Sequence, residues 1–290
     1  MKKISLFIVF LLPVIVFAQR DWSRMQVATK EIAPGISRLF VEPGVATVLF
    51  TGPDGALLID AAYQQTTLQL KAAIKAITDQ PVKYLINTHH HADHTGGNAA
   101  FGSQATIIAH QFVRDFVSIN QMQGTRHIPA LPREAWPEIT FSDRMQLDFN
   151  GQNLLIQHLP GGHTAGDAIV FFPESKVLVI GDLLFADNFP FVDLANGGNP
   201  RRFIEHLNWI SGNFPDDVFI VGGHGPVYSM EQFRSYILNL ERTIEIVSHA
   251  KSSGISLEEA KANRILREWE AWGSFFITEE RWIETLYQAL

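Results

Sequence analysis

Six consecutive residues, His89-His90-His91-Ala92-Asp93-His94, place four imidazoles and a carboxylate in one short stretch. Imidazole nitrogen and carboxylate oxygen are both good ligands for zinc and related divalent ions, and no sulfur is needed. The stretch follows an apolar run over residues 82–87 and is closed by Gly96-Gly97. On a turn after a strand the alternate residues His89 and His91 can face one way, while Asp93 and His94 reach a second point. His90 has the opposite parity and is expected to point away from the metals, in a supporting or surface role. Three later segments suit the same use: His163 in Gly161-Gly162-His163-Thr164-Ala165-Gly166-Asp167, Asp182 closing the apolar run Val179-Ile180-Gly181, and His224 in Gly222-Gly223-His224-Gly225-Pro226. Each sets one ligand on a Gly-flanked loop at a strand end, where α/β sheets build their sites.

The elements that must position these residues can be read from periodicity. Residues 36–60 alternate strand and turn three times, and residues 64–78 show helical spacing, with Leu68, Leu70, Ile74 and Ile77 near one face. Strands are expected at 82–87 and 105–109, a helix at 110–122, paired strands over 139–159, 167–172 and 177–181, a helix at 201–213 and a strand at 217–221. From 229 to 290 the pattern is helical throughout. The proline-rich segment 128–138, with Trp136, breaks regular structure, and the tail aromatics Trp269, Trp272, Phe275, Phe276, Trp282 and Tyr287 read as the core of a helical cap. The fold class is α/β.

Composition narrows the chemistry. The 290 residues include eleven histidines and no cysteine, which excludes disulfides, thiolate zinc sites, iron–sulfur clusters and thiol nucleophiles. Acidic residues exceed basic ones, 30 to 23, for a formal charge of −7. That argues against a partner bound through its phosphate backbone, so no nucleic acid is expected. Met1-Lys2-Lys3 followed by an apolar run to Ala18 reads as a signal peptide, residues 1–18, with the mature chain starting at Gln19 in the periplasm or outside the cell. No stable membrane insertion is expected after its removal.

The ordered set His-x-His-x-Asp-His, GGHTAGD, GDLLF and GGHGP, preceded by Asp60 in LLID, resembles the metallo-β-lactamase fold superfamily over about residues 32–228. The resemblance implies a four-layer αββα sandwich, here residues 19–228 with a helical C-terminal extension, 229–290, packed on the same domain. It implies that His89, His91 and His163 bind one zinc ion, that Asp93, His94 and His224 bind a second, and that Asp182 bridges them. Asp60 would orient the site from behind the ligands.

Lactamases of the superfamily carry Cys or Ser where Asp182 stands. The bridging Asp is typical of its esterase, thioesterase, lactonase and nuclease branches. The function expected from the resemblance is therefore an exported dizinc hydrolase that uses a metal-bound hydroxide on an ester, thioester, lactone or amide of a small molecule, with Asp93 as a proton acceptor. The alternatives are a β-lactamase proper, a mono-iron oxidoreductase of the sulfur dioxygenase kind, and a scaffold with a relict site. His110, His127, His158, His206 and His249 lack the strand-end context and are expected to be structural, as is Asp167. Asn188 and Asp193 either reach substrate or cap a turn. A homodimer contact is a further use open to the aromatic tail.

Overall fold

The structure, a computed structural model, describes residues 21–290 apart from Gly124. The expected signal peptide lies outside the described residues. β1 (Val27–Ala33), β2 (Ile36–Val41), β3 (Val45–Gly52) and β4 (Gly55–Ile59) form an antiparallel meander. Pairing then turns parallel, through β5 (Val82–Ile86) and β6 (Thr106–His110). A hairpin of β7 (Gln121–Gln123) and β8 (Arg126–Ile128) intervenes before β9 (Ile139–Phe141) joins the edge beside β6. The second sheet holds β10 (Arg144–Phe149), β11 (Gln152–His158), β12 (Ala168–Phe172), β13 (Val177–Phe185), β14 (Phe219–His224) and β15 (Tyr228–Ser229), in that order.

Side-chain alternation assigns each face a layer. In β3, Ala46, Val48 and Phe50 enter the core between the sheets, while Val45 and Leu49 face outward under α1 (Thr67–Ile77). In β13, Val177 and Val179 face inward, whereas Leu178 and Ile180 pack under helices. Strands buried on both faces read as continuous apolar runs, which is why LLI and VLVI appear without polar alternation. The chain carries two more short helices on the first-sheet side, α2 (Ala92–Thr95) and α3 (Gln111–Val117). The second sheet is covered by α4 (Pro200–Asn213), α5 (Met230–Ser252), α6 (Leu257–Ala262) and α7 (Glu279–Ala289). This is the expected αββα sandwich, with helices from residues 229–290 sharing the outer core of the second sheet: Trp282, Ile283 and Leu286 belong to the same apolar cluster as Leu178, Ile180 and Ile220, and α7 packs on α5 and α6.

Several expectations need correction. β1 carried no recognised signal because its burial is slight. In α1 only Leu70 and Ile74 are buried; Leu68 is 81% exposed and Ile77 lies at the surface. The helix expected over 110–122 stops at Val117, and the β7–β8 hairpin follows. Of the tail aromatics Trp269 and Trp282 are core, but Phe275 and Phe276 are exposed. Trp136 donates its indole N–H to Leu131 O and packs on the small cluster Ala109, Val113 and Val117.

Candidate metal centre

Four chain segments meet at one edge of the two sheets. The first is the turn after β5, which carries Thr88 to His91 and enters α2 with Asp93 and His94. The second is the loop between β11 and β12, carrying His163. The third is β13 itself. Asp182 does not end that strand, as its sequence suggests; β13 continues to Phe185, and its pairing with β14 is irregular between Val179 and Gly181 and again between Gly181 and Phe185. A bulge re-aims a side chain, and here it turns the carboxylate into the site. Gly181 has φ +51° and a Cβ there would lie 2.6 Å from Thr88 Oγ1, so both backbone and space demand glycine. The fourth segment is the end of β14. Gly223 lies against the same carboxylate: a Cβ at this position would fall 2.0 Å from Asp182 Oδ1.

The structure brings all seven expected ligands together. His89, His91, His163 and Asp182 offer ligand atoms within 4.8 Å of one another, and so do Asp93, His94 and His224. Asp182 faces both groups. Its Oδ2 is 3.7 Å from His89 Nε2, 3.4 Å from His163 Nε2 and 3.3 Å from His224 Nε2, and its Oδ1 is 3.1 Å from His94 Nε2. Asp93 Oδ2 lies 3.6 Å from His94 Nε2 and 3.5 Å from His224 Nε2.

The far nitrogen of each imidazole decides what the near one can do. His89 Nδ1 is 3.1 Å from Thr88 Oγ1, whose own proton goes to Asp60 Oδ2. His91 Nε2 is 2.9 Å from Asp193 Oδ2, and His94 Nδ1 is 2.7 Å from Asp60 Oδ2. His163 Nδ1 is 2.7 Å from Phe191 O, and His224 Nδ1 is 2.6 Å from Gly44 O. All five partners are acceptors, so each far nitrogen carries a ring proton, and in the neutral ring the near nitrogen presents the lone pair. His91 Nδ1 therefore faces His89 Nε2 at 3.1 Å and His163 Nε2 at 2.9 Å with no proton to share. Converging lone pairs and a carboxylate repel one another unless a cation lies among them. His94 Nε2 and Asp182 Oδ1 are buried without a hydrogen-bond partner among the described residues. The donor set is the nitrogen-and-oxygen set that zinc takes. The residues present fit a two-ion centre.

Without an ion, the carboxylates draw a second proton towards two of these rings, a proton that a bound cation would displace. Burial alone would push His94 down, yet Asp182, Asp60 and Asp93 hold it well above the usual imidazole range. His224 is likewise raised, burial being outweighed by Asp182. Burial would raise Asp182, but His224, His94, His89 and His163 hold it well below the carboxylate range. On the other side, burial and the His94 charge depress His89, and burial takes His163 down to about 4 despite Asp182.

The supporting shell was only partly foreseen. Asp60 does accept from Thr88 N, Thr88 Oγ1 and His94, behind the ligands. Asp167 accepts from His163 N, Thr164 N and Thr164 Oγ1, fixing the His163 loop as expected. Asp193 both caps a turn, accepting from Asn196 N, and holds His91. Asn188 donates instead to Ala186 O. His90 is buried against the Phe112 and Phe116 rings, not at the surface, with its Nε2 3.9 Å from Asp193 Oδ2. His90, His91 and Asp193 also converge within 4.8 Å, but His91 spends its Nε2 proton on Asp193, which makes that pair a hydrogen-bonded support, while His90 has no hydrogen-bond partner among the described residues. His110 and His158 stack on each other at 3.6 Å away from the centre, and His206 bonds Pro160 O. The Gly44 and Phe191 carbonyls carried no sequence signal, since any residue supplies a carbonyl.

A family model described as the metallo-beta-lactamase superfamily matches residues 40–249. The chain belongs to the metallo-β-lactamase superfamily. Among curated relatives, the 2,4-dinitroanisole O-demethylase subunit alpha of Nocardioides sp. (strain JS1661) is 25% identical over 142 residues, 48% of this chain and 41% of that protein. The hydroxyacylglutathione hydrolase of Pelagibacter ubique (strain HTCC1062) is 30% identical over 123 residues, 41% of this chain and 44% of that protein. The chain thus spans less than half the length of these two relatives. Among solved structures, a metallo-beta-lactamase from Pontibacter korlensis aligns with a TM-score of 0.62 at 23% identity, covering 74% of this chain and 99% of that one. That likeness concerns the superfamily fold.

Proposed function

We propose that this superfamily member is an exported dizinc hydrolase of a small ester, thioester, lactone or amide. One observation carries the reading: five imidazole lone pairs, each set by an acceptor behind its ring, converge with Asp182 on two adjacent points. His89, His91 and His163 would hold one ion, Asp93, His94 and His224 the other, and Asp182 would touch both. Bound divalent ions supply Lewis acidity, polarising a carbonyl and acidifying water.

The chain's own part is positional and acid–base. Thr88, Asp60, Asp193 and the two carbonyls keep five rings aimed inward, so little reorganisation is left for the reaction itself. Asp93 is the more accessible of the two site carboxylates, and its Oδ2 can take a proton from a water that attacks. Phe185, stacked at 4.8 Å on His224, and Phe191, 5.6 Å from the His91 ring, shield these ligands from bulk water. No Ser or Cys nucleophile is called for. The hydroxyacylglutathione hydrolase relative favours an acyl-transfer substrate, and Asp182 in place of Cys or Ser turns the reading away from lactams.

Export rests on residues 1–18, so intact-mass analysis of secreted material should find Gln19 as the first residue. Among the described residues no helix is long and apolar enough to cross a membrane. Residues 229–290 belong to the same folding unit, because their apolar side chains complete the outer core of the second sheet. The deciding experiment is metal analysis joined to a screen of ester, thioester, lactone and cephalosporin reporters. Two zinc ions with acyl hydrolysis support the proposal; one iron with thiol-dependent oxygen uptake, or metal without turnover of any reporter, overturns it.

A further inference from the structure

Two neighbouring aromatic side chains from the C-terminal segment flank the metal centre without being buried. Phe275 and Phe276 are 44% and 51% exposed. Phe275 lies 5.7 Å from the His224 ring and covers Gly44, whose carbonyl receives the His224 proton. Phe276 lies edge-on to Phe191 at 5.7 Å, and the Phe191 ring is 5.6 Å from His91 and 5.8 Å from His163. The pair therefore lies beside ligands of both groups, Phe275 directly against His224 and Phe276 through Phe191.

The corner is held in place. On one side Trp272 stacks on Tyr236 at 5.2 Å, and its carbonyl accepts from Phe189 N, close after Asp182 in the chain. On the other side Ile277 is buried, and Thr278 caps α7. Arg281 places its guanidinium 5.3 Å from the Phe276 ring, a cation–π contact that braces it. A single exposed apolar side chain needs no explanation. Two adjacent ones, held from both sides, with Phe275 against a ligand ring and Phe276 against the Phe191 ring that packs on two more, form an apolar face open to an incoming molecule.

We infer that the Phe275–Phe276 corner receives the apolar part of the substrate, so that the site selects a medium-chain or aromatic acyl group over a short one. The inference rests on the hydrolase reading above. Each methylene removed from water is worth up to about fourfold in affinity, so chain length is the sensitive variable. The test compares p-nitrophenyl esters from acetyl to octanoyl on the metal-loaded full chain and on Phe275→Ser, Phe276→Ser and Phe276→Leu. Calorimetric titration of octanoate and of acetate adds a readout that needs no turnover. The octanoyl-to-acetyl ratio of kcat/KM should fall at least about tenfold when Phe275→Ser and Phe276→Ser are combined, and Phe276→Leu alone should keep most of it. Octanoate affinity should fall in step, with acetate affinity changing less. Equal losses on both esters, or octanoate binding that ignores both phenylalanines, would overturn the inference. If no ester is hydrolysed yet octanoate still binds through the phenylalanines, the hydrolase reading fails and the apolar wall stands.

Discussion

Replacing Asp193 by Ala should weaken metal binding at the His89–His91–His163 group by about ten- to a hundredfold. The structure supplies the reason. Asp193 Oδ2 sits 2.9 Å from His91 Nε2, and the carboxylate is itself held by Asn196, whose Nδ2 lies 2.7 Å from the same oxygen. His91 is the one ligand that turns Nδ1, not Nε2, towards the centre. A neutral imidazole has a single ring proton, so whichever acceptor fixes that proton on Nε2 also frees Nδ1 for an ion. A buried hydrogen bond to a charged group is worth about 1.5–3 kcal/mol, and each ~1.4 kcal/mol is tenfold in affinity. Burial alone would raise the Asp193 carboxyl, but hydrogen bonds from His91 and Asn196 bring it down to about 2, so the anchor stays charged in mildly acidic buffer. Asp193→Asn keeps an oxygen acceptor without the charge and should fall between wild type and Ala. Zinc competition against a chromophoric chelator measures the affinity, and long-range proton–nitrogen spectra report the His91 tautomer. Zinc affinity within about twofold of wild type, with His91 still protonated on Nε2 in Asp193→Ala, would refute the reasoning.

Asp182→Ala should remain folded by thermal denaturation, bind less metal and lose at least about a hundredfold in turnover, on the order of 2.7 kcal/mol; near wild-type turnover with two ions bound would show that the carboxylate is no bridge. His224→Ala should cost the second ion while His89, His91 and His163 retain the first, which metal analysis checks; equal loss of both ions contradicts the division of ligands. Asp167→Asn should destabilise the fold by about 1–3 kcal/mol, because an amide NH₂ then meets the N–H groups that Asp167 now accepts from; an unchanged denaturation midpoint speaks against it. His110 is held down to about 4 by burial and then by His158, so the unfolded chain binds its proton more readily and stability is lost as pH falls from 6.5 through 4. His110→Gln should flatten that acid limb of the melting temperature; a limb of unchanged slope means that other groups set it.

The convergence of these His and Asp side chains was legible in the sequence because metal chemistry restricts residue type. In a chain without cysteine that work falls to His, Asp and Glu, and a run of four His and one Asp in six residues, with Gly-flanked His and Asp at later strand ends, picks the candidates out. The layers were legible too, since a strand buried on both faces must read as an apolar run, as β13 does. Asp193 was ambiguous because a turn cap and a histidine partner use the same carboxylate, and only the fold brings residue 193 to residue 91. The Gly44 and Phe191 carbonyls were silent, as backbone acceptors leave no mark on side-chain type. Leu68, Phe275 and Phe276 were misplaced by periodicity, which reports that a residue is apolar and not whether a neighbour arrives to cover it. That decision belongs to tertiary packing: α5 and Phe189 bury Trp282, while the turn before α7 leaves Phe275 and Phe276 exposed, Phe275 beside His224.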